Sequence, residues 1–166
     1  MAVIDSNVVK EIIKALRADA TIQLKIAKDS KNNYAIHPGN FNQLHNVFPQ
    51  LTVEYSEGNS EQVFPSSHDA LIVTVWIDEK SNEQSYSFCR IVTDAIVTLF
   101  NREGGDFNNL DVTTDTGVRI CNFIKQSVIF DYDDVIKKHY GEVIFDVVRS
   151  EGESFNPINA GNKVWV

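Results

Sequence analysis

The stretch DALIVTVWI, Asp69 to Ile77, is almost continuously apolar and β-branched. Branched side chains crowd a helix and pack well on a pleated surface. Thr74 is the one polar residue inside the run, so the segment suits a central strand covered on at least one face. Whatever the chain folds into must be built around it. LTVEY, Leu51 to Tyr55, offers a first neighbour. Leu51, Val53 and Tyr55 fall on one side and Thr52 and Glu54 on the other, the pattern of a half-buried strand. The 13 residues from Ser56 to His68 are too many for a tight hairpin. They read as a loop or as a β-ribbon extension around Val63 and Phe64.

Helical periodicity flanks this pair. In DSNVVKEIIKALRADA, Asp5 or Ser6 can cap the start. Val8, Val9, Ile12, Ile13 and Leu16 then form one apolar stripe, while Lys10, Glu11, Lys14 and Arg17 form a charged side expected to be solvated. After Ile77, Ser81 with Gln84 three residues on fits a capping box. Phe88, Ile91, Val92, Ala95, Ile96 and Leu99 recur at helical spacing, and Gly104-Gly105 closes the region. Residues 102–116 read as a polar loop. Between Thr21 and Pro49, the pairs Asn32-Asn33 and Pro38-Gly39 break regular structure, so a long, partly extended connection is expected. Its scattered Leu24, Ile26, Tyr34, Ile36, Phe41 and Phe48 should pin it to the body.

VRICNFIKQSVIFDY, Val118 to Tyr132, predicts a strand whose alternation slips near the middle, as at a bulge. EVIFDVVR, Glu142 to Arg149, predicts the last strand. The expected order is helix, strand, strand, helix, strand, strand. The economical packing is one mainly antiparallel sheet with both helices on one face, an α+β fold. A chain of 166 residues suits one such domain, set at residues 1–149. Residues 150–166 are polar and rich in Gly, Asn and Ser until a Val-Trp-Val tip, and read as a C-terminal extension.

Cys89 and Cys121 fall in helix and strand interiors and read as buried thiols. No basic patch followed by an apolar run opens the chain, and no apolar stretch is long enough for a membrane span. A reducing cytoplasm is the expected place of synthesis. The formal charge of −8 argues against electrostatic grip on a nucleic-acid backbone. It is compatible with a wall that repels phosphates and lets DNA pass.

Motifs of catalysis are missing from the sequence. There is no phosphate-binding loop, dinucleotide fingerprint or nucleophile elbow. His37, His45, His68 and His139 are not paired at metal-ligand spacing, and the cysteines form no CxxC. His37 and His45, in one loop, read as surface residues. Asp131 to Asp134 (DYDD) could be imagined around Ca²⁺, but acidic residues are ordinary in a turn between strands. GGDFNNLD, Gly104 to Asp111, lacks the glycine and distant glutamate of an EF-hand. No catalytic, cofactor or metal residue is assigned, and an enzyme is not expected.

The order of elements resembles the tail terminator (tail completion, head–tail joining) proteins of long-tailed bacteriophages. The resemblance runs from about Val8 to Arg149. It begins with the amphipathic helix ending LRADATI and continues through NYAIHPGNFNQLHNVFPQLTVEY, a Tyr/Pro/Gly connection leading to the first strand. HDALIVTVWIDEKSNEQSYSFCRIVTDAIVTLF carries most of it: a long strand ending in a Trp-containing VWI, a short turn, then a helix. The residues after Arg149 have no counterpart in it. The resemblance implies a homohexameric ring that caps a finished tail tube, stops its growth and presents a docking surface to the head connector. DNA would pass through the lumen without specific binding. The implied partners are further copies of the chain, the tail tube protein and the head–tail connector protein, and the implied location is the virion neck.

Within that reading, Val63, Phe64 and Trp165 are expected at interfaces, since each is a large apolar side chain in a polar segment. Packing onto their own subunit is the alternative. Asp and Glu from one sheet face or its loops are expected to line the bore. A head-closure or other connector-adjacent protein is the nearest alternative function. A small ligand-binding or hydrolytic α+β domain is the alternative from another class, and it would require a concave pocket with converging ionisable groups.

Overall fold

The computed structural model describes residues 6–39, 46–56, 58, 66–78, 82–100, 112–113 and 118–151. The elements are α1 (Ser6–Ala18), α2 (Ala20–Lys25), β1 (Ile36–Pro38), β2 (Gln50–Ser56), β3 (Ser66–Ile77), α3 (Asn82–Phe100), β4 (Val112–Thr113), β5 (Val118–Asp133) and β6 (Lys138–Glu151). The six strands form one mixed sheet in the order β1-β2-β3-β6-β5-β4. β1 runs parallel to β2 and every other pair is antiparallel. The α+β class is as expected.

The apolar run around Val73 lies inside the sheet, with β2 on one side and β6 on the other. Period-two alternation sends Leu71, Val73 and Val75 to one face, beside Leu51 and Val53 of β2 and Val143, Phe145 and Val147 of β6. All eight are buried. Ile12, Ile13 and Leu16 of α1, Ile22 of α2, and Cys89, Val92, Ile96 and Phe100 of α3 join them in one core. Phe100, Phe123 and Phe145 pack ring against ring at its centre, with centroids 4.9–6.3 Å apart.

Two short elements lie in the segment expected to be an irregular connection. Asp19 ends α1 and caps α2, its carboxylate accepting from the Ile22 N–H at 3.0 Å. α2 has six residues, too few for helical periodicity to show. β1 has three, one of them proline, and is held by parallel pairing to β2 rather than by a pattern of its own. Between α2 and β1, Asp29 accepts from the N–H groups of Lys31 and Asn33, and Asn32 takes φ 65°. The Asn-Asn break is therefore a tight Asx turn.

The slip anticipated in Val118–Tyr132 is present as two register shifts in β5, between Ile120 and Asn122 and between Lys125 and Ser127. The last strand is longer than predicted at both ends. It starts at Lys138 and runs through Glu151, taking in the first two residues of the expected extension. No helix among the described residues is long and apolar enough to cross a membrane.

Candidate functional site: the outer sheet face and the groove beside the first strand

The second face of the sheet differs from the core face in chemistry. Register places its side chains in cross-strand rows: Gln50, Trp76, Tyr140 and Asp131; then Thr52, Thr74, Glu142 and Ile129; then Glu54, Ile72, Ile144 and Ser127; then Ser56, Ala70, Asp146 and Ile124. Four of these sixteen positions are carboxylates and none is Lys or Arg. Beyond the first row, Lys138 is paired to Asp78 at 2.9 Å. At one end the Trp76 indole donates to Thr52 Oγ1 at 3.0 Å and packs on the Tyr140 ring at 5.1 Å. Ile124 and Ile129, at the β5 margin, remain 40% and 42% exposed.

The charges on this face act on one another. Burial raises the Glu142 carboxyl from its ordinary value, and the negative charge of Glu54 raises it further. The Tyr140 hydroxyl is raised by burial, then by Asp131, Glu142 and Asp133. Burial is the larger cause of both shifts, and the neighbouring negative charges add to it.

A groove of about 540 Å³ lies along the other margin of the sheet, between α1 and β1. Val9 and Ile13 of α1 and Ile36 and Pro38 of β1 give it an apolar lining. Lys10, Lys14 and Arg17 line it as well. The charged side of α1 is thus not simply a solvated surface, as its sequence suggests, but borders a cleft. Arg17 reaches further and donates from Nη2 to the Ile36 carbonyl at 3.0 Å. Pro38 has no N–H to offer. The outer edge of β1 is therefore poorly suited to accept another strand.

The expected interface residues Val63, Phe64 and Trp165 lie outside the described residues. Among the described residues, the buried Asp69 carboxylate accepts from the Tyr55 hydroxyl and, at 2.8 Å, from the Gly58 N–H. His37 is not the surface loop residue expected: it sits in β1 and is 7% exposed, because the parallel pairing draws it into the sheet. His139 is buried in β6 between the rings of Tyr86 and Tyr132. His45 lies outside the described residues. Cys89 is buried in α3, and burial pushes its thiol up to about 12.

The DYDD turn is organised by its own backbone. Asp133 Oδ1 accepts from the N–H groups of Val135 and Ile136, both at 2.9 Å, and Lys137 closes the turn at φ 61°. Val135 is held outward and is 92% exposed. Among the described residues, no three His, Cys, Asp or Glu side chains cluster as a metal site would require. No protein-family model matches the chain, and no curated protein matches it in sequence.

Proposed function

We propose that the chain is a structural subunit of a ring, a tail terminator that caps a phage tail tube and offers the head connector a place to dock. The observation that carries this reading is the outer sheet face, with Glu54, Asp131, Glu142 and Asp146 and no basic residue among its rows. Such faces arranged around an axis make a bore that repels phosphates at every subunit, so DNA slides through without being held. The core face is occupied by its own helices, and on the outer face Gln50, Thr52, Thr74 and Trp76 are buried, which leaves the β5 side of that face, with the exposed Ile124, Ile129 and Asp131, and the sheet margins for contacts with other molecules. The order helix, strand, strand, helix, strand, strand, with the helices on one face, also supports the reading once the short α2, β1 and β4 are set aside.

In this function the protein works by shape. It would bind further copies of itself, the tail tube protein and the head–tail connector protein, ending up in the virion neck. Electron microscopy of virus particles assembled without the protein tests this. Overlong tails lacking heads are expected. Tails of normal length with unfilled or leaking heads would replace the terminator by a head-closure role, and normal particles would overturn both.

A further inference from the structure

We infer that the β5–β6 turn of one copy docks into the α1–β1 groove of the next. This contact rests on the ring reading and gives it a mechanism of assembly. The two surfaces are complementary in shape and charge. The turn projects Val135, 92% exposed, among Asp131, Asp133 and Asp134, opposed by Lys137 and by Lys138, the latter paired to Asp78 at 2.9 Å. The groove has an apolar lining of Val9, Ile13, Ile36 and Pro38 bordered by Lys10 and Lys14, and no carboxylate among its described lining residues. An apolar knob with an excess of acids around it fits an apolar cleft bordered by bases. On a chain of net charge −8, a cleft whose described charged lining residues are all basic is the unusual surface.

The topology forbids this contact within one copy. The groove lies beside β1 and the turn follows β5, four strand spacings away across the sheet, roughly 19 Å. The two are also offset along the strand direction. Ile36 is in the row of Leu51, Val75 and Gly141, and β6 begins at Lys138, three residues from Gly141, roughly 10 Å. Copies set side by side therefore bring turn and groove together after a relative shift of at least that distance along the strands. Because the two surfaces differ, the contact is head-to-tail, and repeating it closes a ring or extends a filament. The turn engages by side chains, since Arg17 and Pro38 obstruct backbone pairing at β1.

The test places a photo-crosslinking amino acid at position 135 of the full chain. An equal amount of isotopically labelled unmodified chain is mixed in before irradiation. The exposure of Val135 makes the substitution harmless to folding, and circular dichroism verifies that. Expected are adducts between labelled and unlabelled copies, mapping to the peptide Val9–Arg17, and their loss in a Lys10→Glu/Lys14→Glu variant. Val135→Glu should weaken association by about tenfold or more, and added salt should weaken the unmodified contact. Adducts that map elsewhere on a ring would overturn the docking and leave the ring intact. Adducts to Val9–Arg17 in open filaments would uphold the docking and overturn the ring. No intermolecular adduct at any concentration would overturn the docking.

Discussion

Gly141 lies directly beneath Cys89: a Cβ built on Gly141 would sit 2.9 Å from the Cys89 Cβ. The same atom would meet Thr93 Cγ2 at 3.1 Å and Phe130 Cδ1 at 3.2 Å. α3 can lie this low over β6 only because one strand position carries no side chain. Neither Cβ can move without its backbone. Gly141→Ala is therefore expected to destabilise by about 1–3 kcal/mol through overpacking, measured by urea denaturation. An unchanged or raised midpoint would show that α3 can ride up freely.

Asp69 holds two donors, the Tyr55 hydroxyl and the Gly58 N–H, at a site that is 3% exposed. Asp69→Ala leaves both without their acceptor and should cost about 2–3 kcal/mol. Tyr55→Phe removes the hydroxyl's bond to Asp69 but leaves that of Gly58, and should cost about 1 kcal/mol. Equal losses in the two variants would mean that Gly58 is not held by this carboxylate.

Cys89 should be inert in the folded protein. With its thiol pushed up to about 12, hardly any thiolate exists at pH 8. In a Cys121→Ser background, an aromatic disulfide reagent should label the chain only upon unfolding. The raised value also has a sign for stability: the unfolded thiol ionises near 9 while the folded one stays protonated. This group's contribution is complete below pH 9 and declines from there toward 12. Rapid native labelling at pH 8 would contradict the burial.

Glu142 carries a raised carboxyl beside Glu54. Its folded-state value lies above its unfolded one, so the native state is disfavoured once both forms are ionised and relieved of that penalty at low pH. Glu142→Gln should therefore stabilise the subunit at pH 7 by less than about 1 kcal/mol, since the group is partly solvated. The advantage should vanish below pH 4 in a series of urea midpoints. In the ring reading this small instability is retained because the charge faces DNA.

Phe64→Glu and Trp165→Glu test the two aromatic residues that lie outside the described part of the chain. Both variants should fold with unchanged circular dichroism yet fail to assemble with unmodified copies in light scattering. Loss of folding would place these side chains in their own subunit's core instead.

What could be read in advance followed periodicity. Asp69–Ile77, the α3 stripe through Phe88 and Ile96, and the slip in β5 all leave a signature several residues long, and each is present. α2 and β1 were not legible. A six-residue helix held by the Asp19 cap and a three-residue strand held by β2 take their structure from partners rather than from their own pattern. The same limit applies to the site. Glu54 and Glu142 become neighbours through β3, and that register is not written in either segment alone. Lys10 and Lys14 looked like an ordinary solvated stripe until β1 supplied the other wall of the groove.

The way Arg17 and Pro38 guard the first strand has a consequence for how copies of the chain can associate. A pleated sheet can propagate from chain to chain only if both of its rims can accept backbone partners. Here one rim is poorly suited to that, so the chain makes a poor link in an endless β-fibre. Growth is better served by knobs and clefts of fixed shape, which a single closing subunit can saturate.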